Sequence, residues 1–398
     1  MRLSSSYLIW YGNWLQSVHY KHLLDENDRR NRDRRIPRIA LKKYFHSAFR
    51  HLYLSGNEQA LLNCTGCDRR SFDKLLIKFR PFFDLYTFED GTGIIRRKKI
   101  DKDGNVIHGR KKDMTGEGCL GLVLMWFRTR GSCAKSLAMI FGQTSTPMYK
   151  WLKFARRILV ACLINDPDAR IILPTVAEVR KYQDAIGAKY PEVAEVWAVA
   201  DGLKLCVEAS GNYCTQNMFF NGYTHGHYIN GIFVFSCDGK IRISIVNCPG
   251  TFHDSTMSDY GIYRKMWEIY LRTGGKVVVD SAFRIGRGAG ECLIKSSQRD
   301  PQDARALVVN RQATSVRQLS EWGMRMIQGQ FPRMKDSLKY EENGERKVIL
   351  RLLTLIYNFQ TSQVGMNEIL NSFMQKDDGF FGHDGITEDA NDYLNMGI

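Results

Sequence analysis

The chain has 398 residues, of which 44% are hydrophobic and 25% are charged. This is the composition of an ordinary globular protein, and it argues against wholesale disorder. At about 100–200 residues per domain, the length leaves room for two or three domains with their own cores. The longest apolar runs, such as 120–127, are far shorter than the ~20 residues that a bilayer span needs, and the first residues lack the apolar stretch of a secretory signal. We therefore expect a soluble, intracellular protein.

The charge is distributed unevenly along the chain. There are 57 Lys and Arg against 42 Asp and Glu, a formal net charge of +15. Residues 1–190 hold 35 basic and 18 acidic side chains, a net charge of +17, whereas residues 191–398 have a net charge of −2. A polyanion is the natural partner of such a basic half, because each phosphate that is neutralised releases a condensed counterion.

Two basic runs dominate the first half, at 29–35 and at 96–99. The candidate DNA-binding residues in the second run are Arg96, Arg97, Lys98 and Lys99. Either run could instead be a solvated face or a nuclear localisation signal. An anionic membrane is disfavoured as the partner, because no clean amphipathic helix accompanies the runs.

The ten cysteines form no regular framework, so reduced thiols are expected. Cys64 and Cys67 make one CxxC pair. A structural zinc site needs a second pair of cysteines or histidines at a suitable spacing, and none is evident. We therefore interpret the pair as two thiols near a helix start.

Residues 117–160 have the pattern of a helix-turn-helix. The predicted helices cover 119–129, 132–141 and 147–160. Apolar residues line one face of the third helix and basic residues the other, which is typical of a recognition helix in a DNA groove. The basic residues are Lys150, Lys153, Arg156 and Arg157. The alternative is an ordinary helical hairpin within an enzyme.

Beyond Pro191 the pattern changes to strands. Four strands are predicted, at 195–207, 228–237, 241–247 and 276–280. The tight Asp238-Gly239-Lys240 turn makes the second and third strands an antiparallel hairpin. The continuous apolar run of the fourth suits a strand that is buried on both faces and reached by a helical crossover. With helices around 255–272 and from about Thr314, this order of elements is that of the ribonuclease H-like fold.

Four acids stand where such a fold brings side chains together. They are Asp201 in the first strand, Asp254 at the start of the first helix, Asp280 at the end of the fourth strand and Glu321 on the late helix. Carboxylates held a few Å apart repel one another unless cations neutralise them, and oxygen-rich sites suit Mg²⁺ or Mn²⁺. We therefore predict a site for two divalent ions, which would promote in-line displacement at phosphorus. Each acid also has a simpler explanation as a turn residue, a helix cap or an exposed helical acid.

Several short strings support this interpretation. They are Asp201-Gly202, Asn221-Gly222-Tyr223, Tyr228-Ile229-Asn230-Gly231, Pro249-Gly250-Thr251-Phe252-His253-Asp254-Ser255, Val279-Asp280-Ser281-Ala282-Phe283, Arg317-Gln318-Leu319-Ser320-Glu321-Trp322-Gly323-Met324 and Phe331-Pro332-Arg333. Together they resemble the PIF/Harbinger transposases, the DDE superfamily endonucleases of eukaryotes. The resemblance covers roughly 195–335 and extends more loosely to the helix-turn-helix and to a closing helix near 350–359.

The resemblance implies a nuclear, metal-dependent endonuclease that cuts at transposon ends and joins 3′-hydroxyls to target DNA. The residues that it implicates are Asp201, Asp280 and Glu321 as the DDE triad, Asp254 as a further metal-site acid, and His253 in a supporting or phosphate-contacting role. The family often works with a separate Myb/SANT-like DNA-binding protein. Transposases act as multimers because two ends are cut together, so a homo-oligomer is also expected.

Three positions, in or beside two of the strings, depart from the family pattern. Leu203 follows Asp-Gly where the family often has Thr or Cys. Val279 and Ala282 replace the glycines that usually flank the second acid in Gly-Asp-Ser/Ala-Gly-Tyr. The acids themselves are kept, so only the local loop geometry is expected to differ.

We predict an α/β protein in which an all-α basic region with a helix-turn-helix precedes a ribonuclease H-like catalytic domain. The regions are a basic, mostly helical segment (1–115), a helix-turn-helix-like segment (116–190), the DDE nuclease domain (191–335), a C-terminal helical segment (336–375) and an acidic tail expected to be disordered (376–398). The leading hypothesis is a Harbinger-type transposase. The alternatives are a domesticated, catalytically idle DNA-binding regulator or adaptor, and a nuclease that cannot join strands.

Overall fold

The computed structural model describes residues 40–88, 95–98, 112–131, 134–283, 290–296, 303–340 and 342–374. The basic run at 29–35, Lys99 and the predicted acidic tail at 376–398 lie outside the described residues. Among the described helices, none combines the length and the apolar character that crossing a membrane requires.

Helices dominate the described part of the first half. In chain order they are α1 (Ala48–Ser55), α2 (Glu58–Thr65), α3 (Arg69–Leu85), α4 (Gly116–Arg128), α5 (Ala134–Phe141), α6 (Ser145–Leu163) and α7 (Val176–Gly187). Several begin at a side chain that accepts a hydrogen bond from an amide of the first turn, as Asn57 does for α2, Asp68 for α3 and Thr115 for α4. Two short strands, β1 (Tyr86–Phe88) and β2 (Ile95–Arg97), pair antiparallel between α3 and α4.

Helix α4 is buried along almost its whole length and organises this half. Its glycines let aromatic rings pack directly on the helix backbone. A Cβ atom at Gly118 would lie 2.4 Å from the Tyr44 hydroxyl oxygen, and one at Gly121 would lie 2.0 Å from Cζ of Phe49. Because such approaches are too close for any side chain, glycine is required at both positions. Helices α3 and α6 pack on the same buried helix.

The second half contains a mixed sheet. Its described strands are β3 (Val196–Cys206), β4 (Phe220–Asn221), β5 (Gly226–Ser236), β6 (Ile241–Pro249), β7 (Lys276–Val279) and β8 (Leu293–Lys295). Strand β5 pairs antiparallel with β3 and β6, while β7 runs parallel to β3 on its other side and β8 runs parallel to β7. The four predicted strands are confirmed, and the order β6–β5–β3–β7–β8 is compatible with a ribonuclease H-like domain.

Helices complete this half. They are α8 (Tyr213–Phe219), α9 (Asp254–Asp259), α10 (Ile262–Thr273), α11 (Ala304–Gln330), α12 (Asn343–Gln363) and α13 (Glu368–Phe373). The helix predicted at 255–272 is divided into α9 and α10 because Gly261 takes a left-handed conformation with φ +119°. Helix α11 begins ten residues before the predicted start near Thr314, because Asp303 caps it by accepting a hydrogen bond from the Arg305 amide.

Helix α12 joins the two halves into one core. Its residues from Leu352 to Thr361 are buried, and it packs on α6 of the helical half and on β6 of the sheet. Asn358 pairs with both backbone groups of Ile241: its Oδ1 accepts from the amide at 2.8 Å, and its Nδ2 donates to the carbonyl at 2.9 Å. The side chain thereby satisfies backbone polar groups at the end of β6. The sheet and the helical half are therefore held in a fixed relation.

A buried ionic network ties α7 to the turn between β5 and β6. Arg242, only 8% exposed, donates to Asp238 at 2.6 Å, to Glu178 at 3.1 Å and to the Tyr182 hydroxyl. Burial alone would raise the pKa of Asp238, but the adjacent guanidinium and the hydrogen bonds from Ser236 and Tyr182 outweigh it and hold that pKa below its usual value. The stability of the network therefore depends on the contact between the Arg242 guanidinium and the Asp238 carboxylate.

Replacing this guanidinium should be strongly destabilising. Arg242→Met leaves the Asp238 carboxylate buried without its counter-charge, so the free energy of unfolding should fall by about 3–5 kcal/mol in urea titrations. Arg180→Met on the exposed side of α7 is the matched control and should change it by less than about 0.5 kcal/mol. Adding Asp238→Asn to Arg242→Met should recover part of the loss. If the double variant instead loses the sum of both single effects, the pairing is not what stabilises the turn.

Candidate active site

Asp201 lies within the apolar strand β3, opposite Phe233 of β5. One carboxylate oxygen accepts a hydrogen bond from the Gly202 amide at 2.8 Å. The other accepts from the Ser320 hydroxyl of α11 at 3.3 Å. A half-buried carboxylate in a strand needs such partners. The helix that crosses this face of the sheet therefore anchors the acid.

Asp280 directly follows β7, and the sheet register brings it beside Asp201. In the parallel pairing of β3 with β7, Val199 lies opposite Val278. Two residues further along each strand are Asp201 and Asp280, on backbones about 4.8 Å apart. Asp280 also turns the chain away from the sheet, since its Oδ1 accepts from the Ala282 amide at 2.9 Å.

Asp254 is the first residue of α9, and its side chain approaches β3 at the residue after Asp201. Its carboxylate lies over Gly202, where a Cβ atom would be only 2.7 Å from Oδ1. A side chain at position 202 would therefore displace Asp254. Helix α9 thus delivers a third carboxylate next to the strand position that carries Asp201.

Burial and neighbouring carboxylates raise the pKa of Asp201 and of Asp254. Burial raises the pKa of Asp201, and the charge of Asp280 raises it further, while the Gly202 amide, Ser320 and Arg317 oppose the shift. Burial, then Asp280 and Asp201, raise the pKa of Asp254 to about 6, against the opposing charges of Lys204 and His253. Like charges this close favour protonation or a bound cation.

Glu321 stands on α11 next to Ser320, the residue that touches Asp201. Its carboxylate is about half exposed and pairs with Arg317, one turn earlier, at 3.1 Å. Arg317 is in turn close enough to Asp201 to lower its pKa. Asp280 therefore follows the strand beside Asp201, Asp254 lies over the adjacent Gly202, and Arg317 connects Glu321 to Asp201.

His253 occupies the N-cap position of α9 in an extended conformation, and its side chain is exposed. Its charge lowers the pKa of Asp254, which places it beside that carboxylate. A supporting role for His253 stays a prediction.

The donor set suits a hard divalent cation, although no ligand cage is formed. Within the residues that the structure describes, no three His, Cys, Asp or Glu side chains are grouped closely enough to hold a metal ion as they stand. Asp201, Asp254 and Asp280 nevertheless offer carboxylate oxygens whose mutual repulsion a cation would relieve, and oxygen donors are what Mg²⁺ and Mn²⁺ prefer. The chemistry of the residues therefore fits the predicted ions.

The residues that position Asp254 could not be inferred from the sequence alone. The buried Asn230 of β5 donates from Nδ2 to the carbonyls of Phe252 at 2.9 Å and Gly250 at 3.3 Å. Asn221 donates to the same Gly250 carbonyl at 3.1 Å. These hydrogen bonds connect the segments around Asn221 and Asn230 to the segment 249–253, which leads into α9. Two signals in the sequence pointed to Asn230, a polar residue inside an apolar strand and a place in one of the family-like strings, but neither showed what it binds.

The predicted basic face of α6 does not lie open to solvent. Arg156 is buried over the ring of Trp126, 3.8 Å from its centroid, so its place on an exposed DNA-binding face was predicted wrongly. The physical reason is that α12 packs on α6 and presents acidic residues to it. Arg157 pairs with Glu345.

The remaining basic candidates differ in exposure. Lys153 lies 3.7 Å from Glu342, while Lys150 is exposed. Arg96 and Arg97 are exposed on β2, and Lys98 is half-buried. A DNA-binding surface on the helical half would therefore rest on Lys150 and the β2 arginines rather than on a recognition helix.

The comparisons with known proteins agree with this geometry. Residues 200–358 match the family model of the DDE superfamily endonuclease. No curated protein and no solved structure matched the chain. The matched part runs from the residue before Asp201 into α12, and it includes all four predicted acids. The second half of the chain thus carries a DDE superfamily endonuclease domain, which confirms the resemblance at the level of the superfamily.

The raised pKa of Asp254 predicts an unusual dependence of stability on pH. A carboxyl whose pKa is raised on folding stabilises the protein fully below its unfolded-state pKa near 3.8, and this contribution is lost as the pH rises through about 6. In chelator-treated protein, Asp254→Asn should therefore raise the melting temperature at pH 7.5 by ~2–5 °C. The gain should shrink towards pH 4.

The control is Asp184→Asn, on the exposed side of α7. This substitution also removes one negative charge, but at a position outside the group of three aspartates, so it should leave the melting temperature nearly unchanged. A gain for Asp254→Asn that is equal at pH 4 and pH 7.5 would show that repulsion among the three aspartates is not its cause.

Proposed function

We propose that the protein is a DNA transposase of Harbinger type, which cleaves phosphodiester bonds at transposon ends and joins 3′-hydroxyls to target DNA. The observation that supports the proposal is that Asp280 follows the strand beside Asp201 while Asp254 lies over the adjacent Gly202, inside the part that matches the DDE endonucleases. Carboxylates held this close to one another are unfavourable unless a cation neutralises them, and a two-metal phosphoryl-transfer site uses such carboxylates.

Asp201, Asp254, Asp280 and Glu321 are the residues that would hold two Mg²⁺ or Mn²⁺ ions. When bound, such ions activate a water or 3′-hydroxyl and stabilise the leaving oxygen of an in-line displacement. The chain's own contribution is to orient the carboxylates. Ser320 and the Gly202 amide set the Asp201 oxygens, and the Asn230 amide fixes the segment that ends in Asp254.

Positive charge beside the carboxylates would hold the DNA phosphates. Lys204 and His253 are exposed next to Asp254, and Arg317 lies next to Asp201. For Glu321 to join the aspartates, its ion pair with Arg317 has to open, which would release the guanidinium towards a phosphate. An exposed ion pair of this kind is worth less than about 1 kcal/mol, so the exchange is inexpensive.

The helical half would bind DNA further from the cleavage point. Its net positive charge and the exposed Arg96, Arg97 and Lys150 support a role in holding the transposon end. The family resemblance supplies the rest of the proposal. The protein would act in the nucleus on paired transposon ends, as a homo-oligomer, with a Myb/SANT-like protein that supplies sequence specificity.

One observation favours the alternative of a catalytically idle DNA-binding regulator. Glu321 is engaged with Arg317, and the described carboxylates do not form a closed metal site. A regulator would bind terminal-repeat DNA equally well with and without divalent ions and would not nick it. Metal-dependent nicking therefore distinguishes the two functions.

Removing either strand aspartate should abolish cleavage. Asp201→Asn or Asp280→Asn should reduce the cutting of terminal-inverted-repeat DNA in Mg²⁺ or Mn²⁺ by on the order of 10²–10⁴-fold, because metal-ion catalysis supplies several kcal/mol of transition-state stabilisation. Asp184→Asn is the charge-matched control and should cut like the unaltered protein. Equal cutting by all three variants would remove these aspartates from the mechanism. A strand-transfer assay with precut ends then separates a transposase from a nuclease that cannot join.

The assignment of Glu321 has its own matched control. Glu321→Gln should lower cleavage by at least ~10²-fold if its carboxylate joins the aspartates during the reaction. Glu268→Gln on α10 breaks the same kind of exposed helical ion pair, with Arg272 at 3.3 Å, and should cut normally. If Glu321→Gln also cuts normally, the Arg317 contact is an ordinary surface ion pair, and the third acid of the site is not Glu321.

A further inference from the structure

A stacked aromatic pair with one exposed ring lies on either side of Asp254 in the chain. Tyr260, which ends α9, is 68% exposed, and its ring stacks on Phe252 with centroids 5.9 Å apart and planes 9° apart. Phe252 and Tyr260 flank Asp254 in the chain, two residues before it and six residues after it. One face of the tyrosine ring rests on Phe252, which leaves the opposite face to solvent.

More exposed apolar side chains lie on the segments bonded to the same unit. Met218, Phe220 and Tyr223 are 52%, 39% and 92% exposed. The Thr251 hydroxyl donates to the Met218 carbonyl at 3.4 Å, and Asn221 ties the following loop to Gly250. The hydrogen bonds that position Asp254 therefore also position an apolar surface next to it.

The charges around this surface favour a nucleic acid over a protein as its occupant. Lys204 is exposed and close enough to Asp254 to lower the pKa of that carboxyl, so a cationic side chain lies near the segment that carries the rings. A nucleotide suits such a surface, because its flat base can stack on an aromatic ring and its phosphate can pair with a cationic side chain. Helix α9 has six residues and is about 9 Å long, the length of two to three stacked nucleotides.

We propose that the Phe252–Tyr260 pair is a stacking platform for an unpaired DNA base that lies a few nucleotides from the phosphate at the carboxylates. This inference rests on the proposed function, because it takes the occupant to be the DNA strand that is cut. Paired bases are already stacked on their neighbours and cannot lie on the ring. The platform therefore holds the strand only where the duplex has opened at the cleavage point.

Binding to forked and to fully paired duplexes tests the platform without relying on catalysis. The full chain carrying Asp280→Asn is used in the presence of chelator, and the probe is a duplex with a short unpaired flank that contains 2-aminopurine. Tyr260→Ala should weaken binding of the fork by about 5–100-fold, since stacking on an aromatic side chain is worth ~1–3 kcal/mol per base. It should leave binding of the paired duplex unchanged, and it should abolish quenching of the 2-aminopurine.

Two further variants separate stacking from other effects. Tyr260→Phe keeps the ring and should bind the fork like its parent, whereas Tyr260→Leu keeps apolar volume without a ring and should bind like Tyr260→Ala. Leu271→Ala removes a side chain of α10 that is 67% exposed and should have no effect. Because Tyr223 is 92% exposed, Tyr223→Ala should fold normally, and a milder loss of fork binding is expected from it.

Equal effects of Tyr260→Ala on fork and paired duplex, or no effect on either, would overturn the platform. Equal affinity for an RNA fork would overturn the assignment of its occupant to DNA. The outcome is independent of the proposed catalysis. If fork binding needs Tyr260 but cleavage does not need Asp280, the platform is supported and the nuclease mechanism is wrong. If cleavage needs Asp280 but fork binding does not need Tyr260, only the platform is wrong.

Discussion

The repulsion among Asp201, Asp254 and Asp280 is the constraint on which the rest of this structure depends. A parallel strand, a short helix and a helical crossover are all needed to bring positions 201, 254 and 280 into one neighbourhood. With no cation bound, burial and mutual repulsion raise the pKa of Asp254 to about 6. The surroundings therefore have to hold a costly arrangement in place, and the hydrogen bonds from Ser320 and the Gly202 amide do this for Asp201. Such a cost is understandable in a site that binds cations.

Helix α12 gives that site a fixed relation to the helical half. It is buried between α6 and β6, so the sheet and the basic helices share one hydrophobic core. The same packing explains why α6 is not an open recognition helix. Its arginines face the acidic start of α12, where Arg157 meets Glu345, while Arg156 is covered by Trp126. Part of the positive charge of the first half thus stabilises the packing of the two halves, while Lys150 and the β2 arginines remain exposed.

Hydrogen bonds from asparagines connect the carboxylates with the exposed rings nearby. Asn230 and Asn221 converge on Gly250 and so order both the approach to Asp254 and the loop that carries Tyr223. A site built in this way couples the position of the Asp254 carboxylate to that of the exposed rings. Lys204 and His253 add positive charge beside the Asp254 carboxylate. Such a mixture of charges suits a site whose cofactor and substrate would both be charged.

The sequence by itself determined four strands of the sheet and pointed to the three aspartates, because period, turn residues and an acid inside an apolar run are local signals. It also indicated the superfamily, which the match over 200–358 confirms. It did not indicate the short strands β4 and β8. Only the tertiary structure decided that α11 starts at Ala304, that Glu321 pairs with Arg317 and that Arg156 is buried. The position of Asn230 under the segment leading to Asp254 was likewise beyond the sequence. The physical reason is the same in each case: a charged or polar side chain is defined by the partner packed against it, and that partner lies far away in the chain.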